Sequence, residues 1–147
     1  MTINEFIEKH EGRRHKPYRC PAGAKTIGVG WNMDARPLPP GMQAYLAENG
    51  KITDDMIDQL LDISIKVATS DCEDLFPDFD NFSDKRRMAL VDFLFNIGKR
   101  RAMTFVNTIA AINTGRWKDA AEEMRDSRWY RQVPNRAAEI VEMIEEG

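Results

Sequence analysis

The sequence predicts an α+β fold that is mostly helical. A small sheet-containing N-terminal lobe is joined by a long helix to an all-helical C-terminal lobe. Three observations predict it. Helical periodicity disappears only between Lys16 and Asn32. A capped amphipathic run from Asp54 to about Leu75 is long enough to connect two lobes. Beyond Ser83 every apolar stretch has helical spacing, punctuated by Gly98, Gly115 and Pro134. The 147 residues suffice for one compact unit or two small lobes sharing a core. The whole chain, 1–147, reads as a single domain. Its N-terminal lobe covers about 1–52, the connecting helix 53–75 and the helical lobe 76–147.

Taken in order, Thr2 and Glu5 form a capping box for a first helix whose face carries Ile3, Phe6, Ile7 and His10. Gly12 ends it, leaving Glu11 at the negative end of the helix dipole. "KPYRC", a turn at "PAGA" and "KTIGVGWN" then read as a β-hairpin. Gly28 and Gly30 admit either close approach of a backbone or ligand or close helix packing; both need the missing side chains. A Pro/Gly-rich loop precedes a short helix over 41–48. Thr53 caps the long helix, with Met56, Leu60, Leu61, Ile63, Val67 and Ala68 on its apolar face and Cys72 late in it as a small core residue. Ser83 caps an apolar helix closed by Gly98, and further helices fit 102–113, 116–125 and 135–145.

Composition narrows the functional classes. With 42% hydrophobic and 31% charged residues, a soluble globular protein is expected. No apolar run approaches the roughly 20 residues of a membrane helix, and "MTINEFIEKH" does not read as a signal peptide. The expected location is therefore the cytoplasm. Cys20 and Cys72 make no disulfide framework, and with His10 and His15 they lack metal-ligand spacing, so neither metal nor cofactor is expected. The net charge of −3 hides a basic run: Lys9, Arg13, Arg14, Lys16, Arg19 and Lys25 face Glu11 alone within 9–25. Such a run is either solvated surface or a rim suited to an anionic polymer, nucleic acid or bacterial cell wall.

The chemistry-bearing pattern is Glu11-x8-Cys20-x5-Thr26, one acid, one thiol and one hydroxyl around a helix end and hairpin. In its context, "HEGRRHKPYRCPAGAKTIGVGWN", the segment resembles the catalytic segment of T-even phage lysozymes, glycoside hydrolase family 24, whose pattern is Glu-x8-Asp-x5-Thr. "GRWKDAAEEMRDSRWYRQVPNRA", residues 115–137, is similar to a second signature of that family. The resemblance covers nearly the whole chain and implies a lysozyme-like fold. It implies that Glu11 is the general acid, that Thr26 helps hold the attacking water, and that Phe95 contacts substrate. Asn32 and Thr108 align with sugar-contacting positions at which the residue types differ. Arg136 matches an arginine that pairs near the catalytic Glu, and Gln132 belongs to the same wall of a cleft between lobes. The implied substrate is the β-1,4 bond between N-acetylmuramic acid and N-acetylglucosamine in bacterial peptidoglycan. The implied setting is a phage or prophage endolysin, monomeric, with no nucleic-acid partner or stable membrane insertion, held in the host cytoplasm until a holin opens the membrane.

Cys20 occupies the family's aspartate position. A thiolate can accept a proton from water or attack carbon itself. A free thiol titrates near about 8.5 and is mostly protonated at neutral pH; Arg19 and other cations would lower that value and an ionised Glu11 would raise it. Three readings stay open: a muramidase in which Cys20 is base or nucleophile, a lytic transglycosylase using Glu11 alone, and a cell-wall glycan-binding domain without catalysis.

Overall fold

A computed structural model describes all of residues 1–147. The chain forms two compact units, residues 1–65 and 66–147. The fold is α+β and mostly helical, with the sheet confined to the first unit.

In the first unit, α1 (Ile3–Glu11) starts at the predicted capping box: Thr2 Oγ1 accepts from Glu5 N–H at 3.1 Å and the Thr2 amide donates to Glu5 Oε1 at 3.2 Å. Phe6 and Ile7 are buried. Gly12 ends the helix at φ 77°, its N–H donating to Glu8 O at 2.7 Å. The chain then enters a three-stranded antiparallel sheet, β1 (Arg14–Arg19), β2 (Lys25–Gly28) and β3 (Trp31–Asn32), in the order β1-β2-β3. Arg14 pairs with Gly28 and Tyr18 with Thr26, and the register shifts between them. That interval contains Pro17, which has no N–H to give to a ladder.

The predicted hairpin is thus a meander. "KTIGVGWN" does not run straight but turns back at Val29-Gly30, with Thr26 opposite Asn32 and Ile27 opposite Trp31. Gly28 and Gly30 both stand at φ 66°, the left-handed region that disfavours a Cβ. Of the two roles open to Gly28, helix packing is the one observed: a Cβ there would face Ile57 at 3.6 Å and Leu60 at 3.9 Å.

After α2 (Pro40–Asn49), Thr53 Oγ1 accepts from Met56 N–H at 3.1 Å and opens α3 (Asp54–Leu75), in which the division between the units falls. The apolar face expected for this helix is displaced. Ile57, Leu60, Leu61 and Ser64 are buried in its first part and Ala68 and Cys72 in its second, while Ile63 and Val67 are 39% and 46% exposed. Sequence alone cannot rank two apolar stripes one residue apart. Here the choice is made by the room above Gly28 and by a guanidinium: Arg36 donates to Ser64 Oγ at 3.0 Å while lying over the Trp31 ring at 4.2 Å.

The second unit is all helical after α3. Ser83 caps α4 (Asp84–Ala102), followed by α5 (Val106–Asn113), α6 (Trp117–Arg125), α7 (Arg128–Gln132) and α8 (Pro134–Glu146). Gly98 does interrupt α4, at φ 77° and ψ 160°, but the chain resumes helical geometry to Ala102. The next helix consequently starts at Val106 rather than 102. The five-residue α7 has no counterpart in the sequence-based reading, because a run this short shows too little periodicity.

Ala89 through Leu94 are all buried, so α4 has no solvent face at its centre. Asp92 lies in that stretch at 0% exposure. Its Oδ1 accepts from Arg136 Nε at 3.0 Å and from Arg136 Nη2 in a shorter contact, which ties α8 to α4. Nearby, Trp129 packs edge-to-face on Phe93 with centroids 4.8 Å apart and donates its indole N–H to Asn96 Oδ1 at 2.8 Å. Arg86 closes the far end of α8 by donating to the carbonyls of Ile144 and Glu145, its guanidinium 4.1 Å over the Trp117 ring.

Removing Arg136 takes from the fully buried Asp92 carboxylate the hydrogen bonds it accepts from that guanidinium and the neighbouring positive charge. Arg136→Met is therefore expected to lower unfolding free energy by about 3–5 kcal/mol in urea titrations, whereas Asp92→Leu with Arg136→Met should recover most of that loss. Equal destabilisation by the single and double variants would show that the pair's charge balance is not what the core requires.

Candidate active site

The acid, the thiol and the hydroxyl singled out by sequence all belong to the first unit. Glu11 is the last residue of α1 and is half-buried. Cys20 follows β1 at the start of the turn to β2, is a free thiol and is also half-buried. Thr26 is buried on β2, the Cα partner of Tyr18 on one side and of Asn32 on the other.

The Cys20–Ala24 turn is closed by its own backbone. Cys20 N–H donates to Ala24 O at 3.0 Å, and Gly23 N–H donates to Cys20 O at 2.8 Å. Partial desolvation pushes the Cys20 thiol up. The N–H dipoles of Ala24 and Ala22, the Thr26 hydroxyl and the Gly23 N–H, all close to the sulfur, outweigh it and hold the thiol below its ordinary value. The expected agents were cations. Arg19 instead donates to Gly23 O at 3.0 Å and stands 3.8 Å from Asp34, so it braces the turn. The Thr26 hydroxyl also donates to Ala24 O at 3.0 Å. It has one proton, and a thiolate would compete with that carbonyl for it.

Tyr18 is a member of this site that sequence reasoning missed. Burial pushes its phenol up, the Glu11 charge adds to that, Arg14 opposes it from 4.9 Å above the ring, and the Cys20 charge adds a further rise. One phenol therefore senses both the acid and the thiol. The signal available in sequence was its place on the predicted strand two residues ahead of Cys20.

Asn32 is exposed. Its Oδ1 accepts from the Asp34 and Ala35 N–H groups, both at 3.0 Å, making an Asx turn after β3. The remaining predicted residues belong to the second unit. Phe95 is half-buried on α4, three residues beyond Asp92. Thr108 is 3% exposed on α5 and lines a hollow of about 450 Å³ with Arg101, Phe105, Asn107, Glu123 and Trp129. Gln132 is exposed at the end of α7 and accepts from Arg101 Nη2 at 2.7 Å, so Arg101 links it to the rim of that hollow. Arg136 is engaged with Asp92. Asp92 and Arg101 were also missed; a lone Asp in an apolar helix signals a buried partner without naming it. Cys72 is fully buried, and desolvation drives its thiol well up, which separates it chemically from Cys20.

A probable T4-type lysozyme 1 of Dictyostelium discoideum is 27% identical over 99% of this chain and 95% of its own length. A probable T4-type lysozyme 2 of the same organism is 23% identical over the same shares. The pre-baseplate central spike protein Gp5 of Enterobacteria phage T4 is 26% identical over 98% of this chain but only 28% of its own length. The phage lysozyme family model matches residues 8–141. The chain thus belongs to the phage lysozyme family and is a lysozyme, an enzyme whose substrate is peptidoglycan.

Proposed function

We propose that this lysozyme hydrolyses the β-1,4 bond between N-acetylmuramic acid and N-acetylglucosamine with Glu11 as general acid, Cys20 as base or nucleophile and Thr26 positioning water. The observation that carries the reading is the placement of Cys20, a free, half-buried thiol at the mouth of the turn that Thr26 also braces, at the position where the family pattern has a carboxylate. A carboxylate is ionised at neutral pH without help, whereas a thiol needs donors to reach the same state.

The chemistry balances in either mode. Glu11 transfers its proton to the glycosidic oxygen as the bond from that oxygen to the anomeric carbon breaks. In the base mode, the Cys20 thiolate takes a proton from water as the water oxygen bonds to that carbon from the opposite face, giving inversion. In the nucleophile mode, sulfur bonds to the carbon. Water then displaces it, giving its proton to the Glu11 carboxylate, and the configuration is retained. Thr26 serves both modes with one hydroxyl, which can orient water or hold the thiolate. The basic residues on and around β1 supply short-range attraction to the peptide carboxylates of the wall, although the net charge of −3 opposes long-range steering.

The biological role we infer is lysis of the host wall by a phage or prophage endolysin that waits in the cytoplasm for holin-dependent release. The relatives matched over 95% of their own length support the lysozyme activity this role requires. No helix is long and apolar enough to cross a membrane. The match within a central spike protein favours a second setting, a tail-associated lysozyme domain. Lysis timing in a host carrying the gene with and without a holin separates the two.

Muropeptide analysis tests the chemistry. Wild type should release fragments with reducing ends, Glu11→Gln should release none, and Cys20→Ala should lose on the order of 100-fold or more in rate while Cys20→Asp remains active. Anhydro ends with undiminished Cys20→Ala activity would instead establish transglycosylation by Glu11 alone, and wall binding without any released fragment would leave only a binding module.

The thiol itself can be titrated. Because the turn's N–H dipoles and Thr26 hold Cys20 low, its alkylation by iodoacetamide should reach half-maximal rate below the pH of a free cysteine, with buried Cys72 silent. Thr26→Val removes a group that favours thiolate, so the midpoint should move to higher pH. An unmoved midpoint would remove Thr26 from the thiol's support.

A further inference from the structure

Glu11 and Cys20 are separated by a glycine and a strand whose sheet pairing is irregular, so something else must fix their separation. Gly12 stands at φ 77° with no atom within 4 Å of where a Cβ would be, so the side-chain direction of this hinge is open. The register shift between Arg14 and Tyr18 leaves the start of β1 without a regular ladder to β2. An isolated glycine hinge followed by an irregular strand would let the acid and the thiol wander relative to each other.

Arg13, the first residue past the hinge, is instead held on three sides. Its guanidinium reaches Glu8 of α1 at 2.9 Å, Asp54 of α3 at 3.0 Å, and Asp58 one turn further along α3. Glu8 lies three residues before Glu11, on the same rigid helix. Two residues beyond Arg13, His15 Nε2 meets Asp54 Oδ1 at 2.8 Å and His15 O accepts from Ile52 N–H at 3.0 Å. The chain on both sides of the hinge is therefore referred to one external support, the leading end of α3. Exposed ion pairs contribute little to stability one by one. A planar fork with several acceptors fixes direction, which a single ammonium cannot do.

We propose that Arg13, assisted by His15, is a positioning residue for the lysozyme reaction, setting the separation of Glu11 and Cys20 by clamping the Gly12 hinge to Glu8, Asp54 and Asp58. The inference rests on the reading of Glu11 and Cys20 as the reacting pair. Arg13 touches neither and acts through the backbone between them. Loss of the clamp misplaces the two groups without changing either. The turn groups that support the thiol lie at residues 20–26, away from Arg13.

The test is steady-state kinetics on soluble peptidoglycan strands with Arg13→Ala, Arg13→Lys, Asp58→Asn and Glu11→Gln beside wild type, with the folded fraction of each read by circular dichroism at assay temperature. Arg13→Ala is expected to lower kcat on the order of 10- to 100-fold with KM nearly unchanged. Arg13→Lys should fall between it and wild type, and the pH midpoint of Cys20 alkylation should stay where it is. Wild-type kcat in Arg13→Ala, a loss no larger than its unfolded fraction, or a moved alkylation midpoint would each overturn the proposal. Should Arg13→Ala not fold, Asp58→Asn decides by the same criteria: a several-fold loss in kcat alone supports the clamp and an unchanged kcat overturns it. An inactive Glu11→Gln beside a fully active Arg13→Ala overturns the clamp and leaves the acid in place. An active Glu11→Gln overturns both.

Discussion

Asp92 sits in the middle of six consecutive buried residues of α4, and the helical unit is arranged around that fact. A carboxylate with no access to water must be paired or neutralised. Its partner Arg136 comes from the second residue after Pro134, so α8 must start at a defined place and present a defined face to α4. The same register carries Ala137, Ile140, Val141 and Ile144 into the core, and Arg86 holds the other end of α8 through its last carbonyls. Fixing α8 in turn limits where the short α7 can run. Trp129 is then sealed between Phe93 and Phe105 with its indole nitrogen satisfied by Asn96. A buried pair of this sort is weak as a source of net stability and strong as a determinant of register.

The sheet-bearing unit meets a different demand. It has to hold an acid at the end of a helix, a thiol at the mouth of a turn and a hydroxyl on the neighbouring strand. Replacement of a carboxylate by a thiol changes what the surroundings must supply. A carboxylate brings its own charge, whereas a thiolate has to be stabilised. The turn at Cys20–Ala24 does this with backbone N–H groups and Thr26, and Arg19 spends its charge bracing the same turn from outside. Donors that belong to the backbone cannot be lost by substitution of a side chain.

Much of the fold was legible in advance because local rules sufficed for it. The Thr2–Glu5 box and the Thr53 and Ser83 caps are short-range features, each readable within a few residues. Legibility failed where two local solutions were equal. The stripes Ile63–Val67 and Ile57–Leu61–Ser64 on α3 have similar apolar content, and only the empty space above Gly28 and the reach of Arg36 to Ser64 select the second. The straight hairpin became a meander because Gly28 and Gly30 take positive φ, a freedom that sequence permits without requiring.

Sequence by itself determined the family and the mostly helical α+β class, and it put forward Glu11, Cys20 and Thr26 as candidates, since these follow from residue type and spacing along the chain. Tertiary structure alone decided what surrounds them. It chose backbone N–H groups over cations as the support of Cys20, set Tyr18 where both charges reach it, matched Asp92 to Arg136 across 44 positions, and gathered Glu8, Asp54 and Asp58 around Arg13. The reason is one of range. Capping and periodicity act over a turn or two of chain, whereas electrostatic and hydrogen-bond partners are chosen by proximity in space, which exists only once the chain has folded.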